Sequence, residues 1–133
     1  MKSIKELEDK QEEFDKKYDY YKNTEDVDEV DRREKCIITG HWVDFLSDLL
    51  DFNFDAFMEK KGYTDEDIDN IIDDPEVQKE IVITEEQARK ELQSRIEYCK
   101  LHPYGAIHNF VFDGIYLEKI ELDILKWVLE IED

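Results

Sequence analysis

The stretch His41–Lys61, HWVDFLSDLLDFNFDAFMEKK, combines apolar residues with a regular series of acids. In a helix of 3.6 residues per turn, residues three or four positions apart lie on the same side. The acids of this stretch follow that spacing: Asp44, Asp48, Asp51, Asp55 and Glu59. Apolar side chains occupy most of the remaining circumference, which is typical of a helix buried against its neighbours. The stretch therefore predicts a central helix with one charged side exposed to water.

Two residues predict that this central helix is not straight. Glycine inside a helix costs about 1 kcal/mol relative to alanine, so Gly40 indicates a kink or a break near Thr39 and Gly40. Asn53 falls among the apolar residues, where an unpaired amide is costly. We therefore expect a bend over residues 51–54.

The flanking sequence predicts four further helices. Capping boxes at Ser3 and Thr84 start helices over residues 3–22 and 84–101. A short helix is predicted over 64–72, and apolar residues at helical spacing predict a closing helix from Leu117 onward. The alternation in this last segment also fits a strand, but its leucine, lysine and glutamate favour the helix.

Two segments predict β structure. Ile81–Ile83 is a β-branched run that suits a short strand. Apolar runs on either side of Asp113-Gly114 predict a hairpin, since both central residues of the favoured turn need positive φ. The predicted fold is mainly α (α+β), a compact bundle of about five helices with a small antiparallel β-hairpin near residues 106–118. An all-α fold is the alternative, and residues 1–133 are expected to form a single domain.

The composition is that of a folded and strongly acidic chain. Apolar residues make up 41% and aromatic residues 12%, so the chain is not of the disordered class, yet its net charge is −19. Residues 36–78 contain twelve acids and only two bases, so more than half of the net charge lies in one third of the chain. No signal-peptide pattern and no apolar run of about 18 residues occur, so a cytoplasmic protein without membrane contact is expected.

The position of the charge suggests its use. Carboxylates on one helix side, five over fifteen residues, recur about every 5 Å. Duplex DNA has one phosphate charge per roughly 1.7 Å of axis, or about 3.4 Å along one strand. We therefore expect the acidic region to bind the basic surface of a nucleic-acid-binding protein or nuclease complex, without binding nucleic acid directly. The predicted contact residues are Asp44, Asp48, Asp51, Asp55, Glu59, Asp65, Asp67, Asp69, Asp73 and Glu76.

In size, in composition and in the acidic stretch Asp44–Glu76, the chain resembles inhibitor proteins carried by phages and other mobile elements, including anti-CRISPR proteins and DNA mimics. The resemblance implies a stoichiometric protein that blocks a nucleic-acid-handling enzyme in the cytoplasm of a host cell. These inhibitors share no single fold, so no residue is carried over from them.

One alternative function is calcium binding. The segment Asp65–Glu76, DEDIDNIIDDPE, resembles an EF-hand loop in the spacing of its oxygen-bearing residues. It departs from the pattern because Asn70 replaces the expected glycine and Pro75 adjoins the last ligand. A short helix capped by Thr64 explains the same residues more simply.

A second alternative is a helical assembly module, in which Phe14, Tyr18 and Tyr21 of the first helix contact another chain.

The sequence gives weaker support for catalysis or metal binding. The four glycines are isolated and no hydrolase or protease signature occurs, so we predict neither an enzyme nor a cofactor. Soft metal ligands are present but show no diagnostic spacing, so no metal site is predicted: Cys36, His41, Cys99, His102 and His108. The sequence carries no indication of the oligomeric state.

Overall fold

The computed structural model describes residues 1–101, 110–112 and 115–131, and this part of the chain is mainly helical, as predicted. Within it lie seven α-helices: α1 (Ile4–Asn23), α2 (Glu29–Leu50), α3 (Phe54–Lys61), α4 (Ile68–Ile71), α5 (Pro75–Ile81), α6 (Glu85–Leu101) and α7 (Leu117–Leu129). A 3₁₀ turn, Asp65–Asp67, precedes α4. Five of these helices have eight or more residues, in agreement with the predicted bundle of about five, and α4 and α5 are shorter segments.

The β structure of the described residues is limited to two short strands. The backbones of β1 (Phe110–Phe112) and β2 (Ile115–Tyr116) pair antiparallel. The predicted turn at Asp113-Gly114 and residues 106–109 lie outside the described residues. An isolated two-stranded pair is only marginally stable in water, and the buried side chains that the structure describes belong to helices and their connections. The all-α alternative therefore describes this chain better than an α+β fold.

Gly40 does not break the central helix, because α2 continues from Glu29 to Leu50. Of the two predicted possibilities, the break at Thr39 and Gly40 is therefore wrong, and the kink stays a prediction. A Cβ atom at Gly40 would lie 3.3 Å from the ring of Tyr18 on α1. The missing side chain thus allows α1 and α2 to approach closely. Gln11 donates to the carbonyl of Val43, so the two helices pack side by side in opposite directions.

The predicted bend at residues 51–54 is confirmed, because α2 ends at Leu50 and α3 begins at Phe54. The backbone N–H of Asn53 donates to the carbonyl of Ile81 at 2.8 Å, and the N–H of Ile83 donates to the carbonyl of Leu49. The predicted strand Ile81–Ile83 is wrong, because Ile81 is the last residue of α5. The next two residues, Val82 and Ile83, instead form hydrogen bonds with the bend: Val82 accepts from the side chain of Asn53, and Ile83 donates to Leu49.

Two apolar clusters support the helices. The main cluster joins α1, α2, α6 and α7, and its fully buried side chains include Leu7, Leu46, Ile124, Leu125 and Val128. The second cluster lies under the acidic region and joins α3 to α5: Phe57, Met58, Val77 and Ile81 are buried, with Phe54, Ile68 and Ile71 packed against them. The acids of residues 51–76 therefore lie on a packed support. No helix among the described residues is long and apolar enough to cross a membrane.

Candidate acidic docking surface

The five predicted acids of the central stretch lie on both sides of the bend. We call this set the acidic ridge: Asp44 and Asp48 on α2, Asp51 at its C-cap, and Asp55 and Glu59 on α3. All five residues are exposed. The ridge therefore follows two helices, and the spacing calculated for a single helix applies only within each of them.

The ridge has no internal countercharge. Among the described residues, no lysine, arginine or histidine lies within ion-pair distance of any ridge carboxylate. Lys61 of the same segment instead lies 6.0 Å from the ring centre of Phe57. Within the described part of the chain, these carboxylates therefore have no basic side chain to neutralise them.

Asp51 shows the electrostatic consequence of this arrangement. Partial burial raises the pKa of the Asp51 carboxyl group, and the nearby charges of Asp48 and Asp55 raise it further. A backbone hydrogen bond opposes this change without cancelling it. Asp51 therefore experiences repulsion from one acid on each side of the bend, and a cation that binds here would reduce this repulsion.

The second half of the predicted surface is less uniform. Asp65, Asp69 and Asp73 are exposed and make no ion pair within the described residues. Asp67 instead accepts hydrogen bonds from the backbone N–H and the hydroxyl of Thr64, which cap the 3₁₀ turn. Glu76 pairs with Lys79 at 3.4 Å in the first turn of α5. Asp67 and Glu76 therefore have local structural partners, and the other three acids do not.

The residues of the EF-hand-like segment form a 3₁₀ turn, the short helix α4 and the start of α5. Asp74 accepts from the N–H of Glu76 and caps α5. In the part of the chain that the structure describes, no three His, Cys, Asp or Glu side chains are grouped so that they could hold a metal ion.

Sequence reasoning missed the acids of α1, which extend the ridge sideways. Glu8, Glu12 and Asp15 line a shallow groove beside Val43 of α2. The acids and lysines of the first helix nearly balance, so its net charge does not indicate an acidic surface. The steps of four and three residues between these acids, which place them on one side, were the available signal.

Two lysines of α1, Lys10 and Lys17, lie over aromatic rings. Phe14 stacks on Trp42 with ring centres 4.5 Å apart, and Trp42 meets Trp127 edge to face. The ammonium group of Lys10 lies 5.1 Å from the ring centre of Trp127, and that of Lys17 lies 4.8 Å from the ring centre of Phe14. Lys16 instead pairs with Glu12 at 3.3 Å, so of the three groove acids Glu8 and Asp15 make no ion pair within the described residues. The stacking also shows that Phe14, a predicted assembly residue, packs within the chain.

A cleft of about 290 Å³ joins the two halves of the predicted acidic region to α1. We call it the acidic cleft: Glu8 of α1, Asp51 at the end of α2 and Asp73 before α5 all line it. Its other lining residues are Ile4, Gln11, Ser47, Leu50, Ile72, Gln78 and Ile81. The structure therefore places Asp51 and Asp73, predicted from separate segments, around one depression.

His41 belongs to a separate polar cluster on the side of α2 that faces α6 and α7. Its Nε2 atom lies 3.3 Å from one carboxylate oxygen of Glu121, and Arg95 donates to the other at 3.0 Å. Burial raises the pKa of Glu121, but the hydrogen bond with His41 and the charge of Arg95 outweigh it, so this pKa lies below its ordinary value. His41 therefore has a structural partner, while Cys36 and Cys99 are free thiols.

Comparisons of the chain with protein-family models, with curated proteins and with solved structures gave no significant match.

Proposed function

We propose that this protein is a stoichiometric inhibitor that docks the acidic ridge onto the basic nucleic-acid-binding groove of a target protein. The observation that carries the proposal is the uncompensated charge of the ridge: its five carboxylates are exposed on α2 and α3, and among the described residues none has a basic side chain within ion-pair distance. The charges of Asp48 and Asp55 repel that of Asp51, which adds to the effect of partial burial on the pKa of Asp51. Such repulsion destabilises the isolated chain, and a basic partner surface would convert it into favourable binding energy. The second apolar cluster supports α3 from beneath and so keeps these charges together.

The same charge distribution argues against direct contact with nucleic acid. The ridge would repel a phosphate backbone, whereas lysines and arginines that normally neutralise phosphates would be attracted to it. The resemblance to anti-CRISPR proteins and DNA mimics makes a host defence nuclease in the cytoplasm our proposed target. The ridge imitates charge rather than the regular geometry of a duplex, because the bend at Asn53 divides it between two helices.

The test is affinity capture from a nuclease-treated bacterial lysate, followed by mass spectrometry and by stepwise elution with salt. We expect the wild-type protein to retain a nucleic-acid-binding protein that is released as salt rises, and duplex DNA to compete for the retained protein. The variant Asp48→Asn/Asp51→Asn/Asp55→Asn should lose most of this capture while its circular dichroism remains that of the wild type.

A matched control tests whether capture depends on the position of the ridge charges or only on the net charge of the protein. The variant Asp31→Asn/Glu97→Gln/Asp123→Asn removes the same three charges from exposed positions on α2, α6 and α7. It should capture the partner as the wild type does. If both variants lose partner capture equally, capture depends on net charge rather than on the ridge. If both variants capture the partner as the wild type does, the ridge is not part of the interface.

A further inference from the structure

The acidic cleft combines an apolar lining with polar groups that accept hydrogen bonds. Ile4 of α1, Leu50 of α2, Ile72 and Ile81 supply its apolar part. Its charged residues are all acids, and among the described residues no lysine, arginine or histidine lines it. Its volume of about 290 Å³ is at the lower end of the roughly 300–1,000 Å³ of small-molecule pockets. The cleft is therefore of a size for one side chain rather than for a larger organic ligand.

The two glutamine amides of the cleft make it still richer in acceptors. The side-chain nitrogen of Gln11 donates to the carbonyl of Val43 at 3.2 Å, and that of Gln78 donates to the carbonyl of Ile72 at 3.4 Å. Within the described residues neither amide oxygen receives a hydrogen bond, so both remain available as acceptors. Both glutamines line the cleft, so their amides add acceptors and no positive charge to its wall.

We propose that the acidic cleft receives an arginine side chain of the partner protein. The aliphatic part of arginine would contact the apolar lining, and its guanidinium would lie among Glu8, Asp51 and Asp73, which come from three different elements. A guanidinium carries five N–H donors in a planar fork, which suits acceptors spread around an opening better than a compact ammonium does. The inference rests on the proposed function, because it names the residue that anchors the same docking surface.

The direct test uses a defined probe, N-acetyl-arginine amide, and follows the methyl resonances of the protein by NMR. We expect the probe to shift the methyl signals of Ile4, Leu50, Ile72 and Ile81, and the citrulline analogue, which has the same shape without the charge, to bind at least fivefold more weakly. Equal binding of both compounds, or shifts confined to methyl groups outside the cleft, would overturn the inference.

A variant that fills the cleft without changing charge gives the second arm of the test. Ser47→Phe should weaken binding of the arginine probe at least fivefold, whereas Ser94→Phe, at an exposed position of α6, should leave it unchanged. A circular dichroism melt of each variant shows that it is folded. Should Ser47→Phe fail to fold, Ile72→Phe on the opposite wall replaces it, with the same expected result.

The two proposals fail separately. The variant Asp48→Asn/Asp55→Asn changes ridge acids that do not line the cleft, so it should weaken partner capture but alter probe binding by less than about threefold. If the probe binds in the cleft but capture is insensitive to the ridge, the arginine site stands and the proposed function fails. If capture depends on the ridge and the probe does not bind, the arginine site fails alone.

Discussion

The side-chain amides of Asn53 and Gln87 bond reciprocally where the bend after α2 meets the start of α6. The nitrogen of Asn53 donates to the oxygen of Gln87 at 3.0 Å, and the nitrogen of Gln87 donates to the oxygen of Asn53 at 2.9 Å. Asn53 also donates to the carbonyl of Val82. The pair fixes the bend, and with it the position of Asp55 relative to Asp51 on which the ridge depends.

Loss of either amide should destabilise the fold. We expect Asn53→Ala and Gln87→Ala each to lower the free energy of unfolding by about 1–3 kcal/mol, because the remaining half-buried amide is left without its partner. The double variant should cost less than the sum, since both changes remove the same interaction. Urea denaturation measures these values, and the control Gln93→Ala removes only an exposed contact with Glu97. Strict additivity would contradict the reciprocal pair.

Asp51 should show a conflict between stability and binding. Its folded pKa lies above the ordinary value of 3.8, so the charged form destabilises the fold at neutral pH, and this penalty disappears as pH falls through the folded pKa. Asp51→Asn should therefore raise Tm at pH 7. Because the position is exposed, the gain in free energy of unfolding should be no more than about 0.5 kcal/mol. Below pH 3.8 the variant should be no more stable than the wild type. Thermal melts at both pH values test this. An increase in Tm that is the same at both would contradict it.

The pKa of Asp51 should also respond to its neighbours. In Asp48→Asn/Asp55→Asn, NMR titration should give a lower pKa for Asp51 than in the wild type, because two repelling charges have been removed. The shift that remains would measure the effect of burial, reduced by the opposing backbone hydrogen bond. An unchanged pKa would show that the ridge carboxylates do not interact across the bend.

Glu121 should have the opposite pH dependence. Its folded pKa lies below the ordinary value of 4.5, so its contribution is present above pH 4.5 and is lost as pH falls through the folded pKa. Glu121→Gln should cost roughly 1–2 kcal/mol at pH 7, because hydrogen bonds with charged groups contribute about this much in partly screened positions. The difference from wild type should narrow in denaturation experiments below pH 4. A cost that does not vary with pH would contradict the contacts with His41 and Arg95.

The calcium alternative makes its own prediction. Asp67 is already bonded to Thr64, and calcium could use it together with Glu76 only if the 3₁₀ turn and the start of α5 rearranged. We expect no heat in calorimetry with millimolar calcium and no shift in Tm. Binding that disappears in Glu76→Gln would instead establish the EF-hand interpretation.

Local signals in the sequence predicted the helices well where capping and periodicity agreed. The capping box of Ser3 and Glu6 is present as expected, and α6 and α7 lie where apolar spacing placed them. The failures came from tertiary contacts. Gly40 reflects the close approach of Tyr18 rather than a break, and a β-branched run at Ile81 ends a helix because that helix packs against α3.

The candidate surface was predicted in part for the same reason. Helical spacing placed the ridge acids on one side, and the discordant Asn53 correctly indicated the bend. Summing charge along the chain concealed Glu8 and Asp15, since the lysines of α1 balance them in number but make no ion pair with either within the described residues. The acidic cleft could not be predicted, because it depends on packing that brings Asp51 and Asp73 together from distant segments.

The most direct test of the central claim is the salt dependence of affinity for the captured partner, measured for the wild type and for Asp48→Asn/Asp51→Asn/Asp55→Asn. We predict that wild-type affinity falls on the order of tenfold between about 50 and 200 mM salt, and that the variant binds more weakly with a shallower dependence. The same affinity and the same slope for both proteins would contradict docking through the acidic ridge.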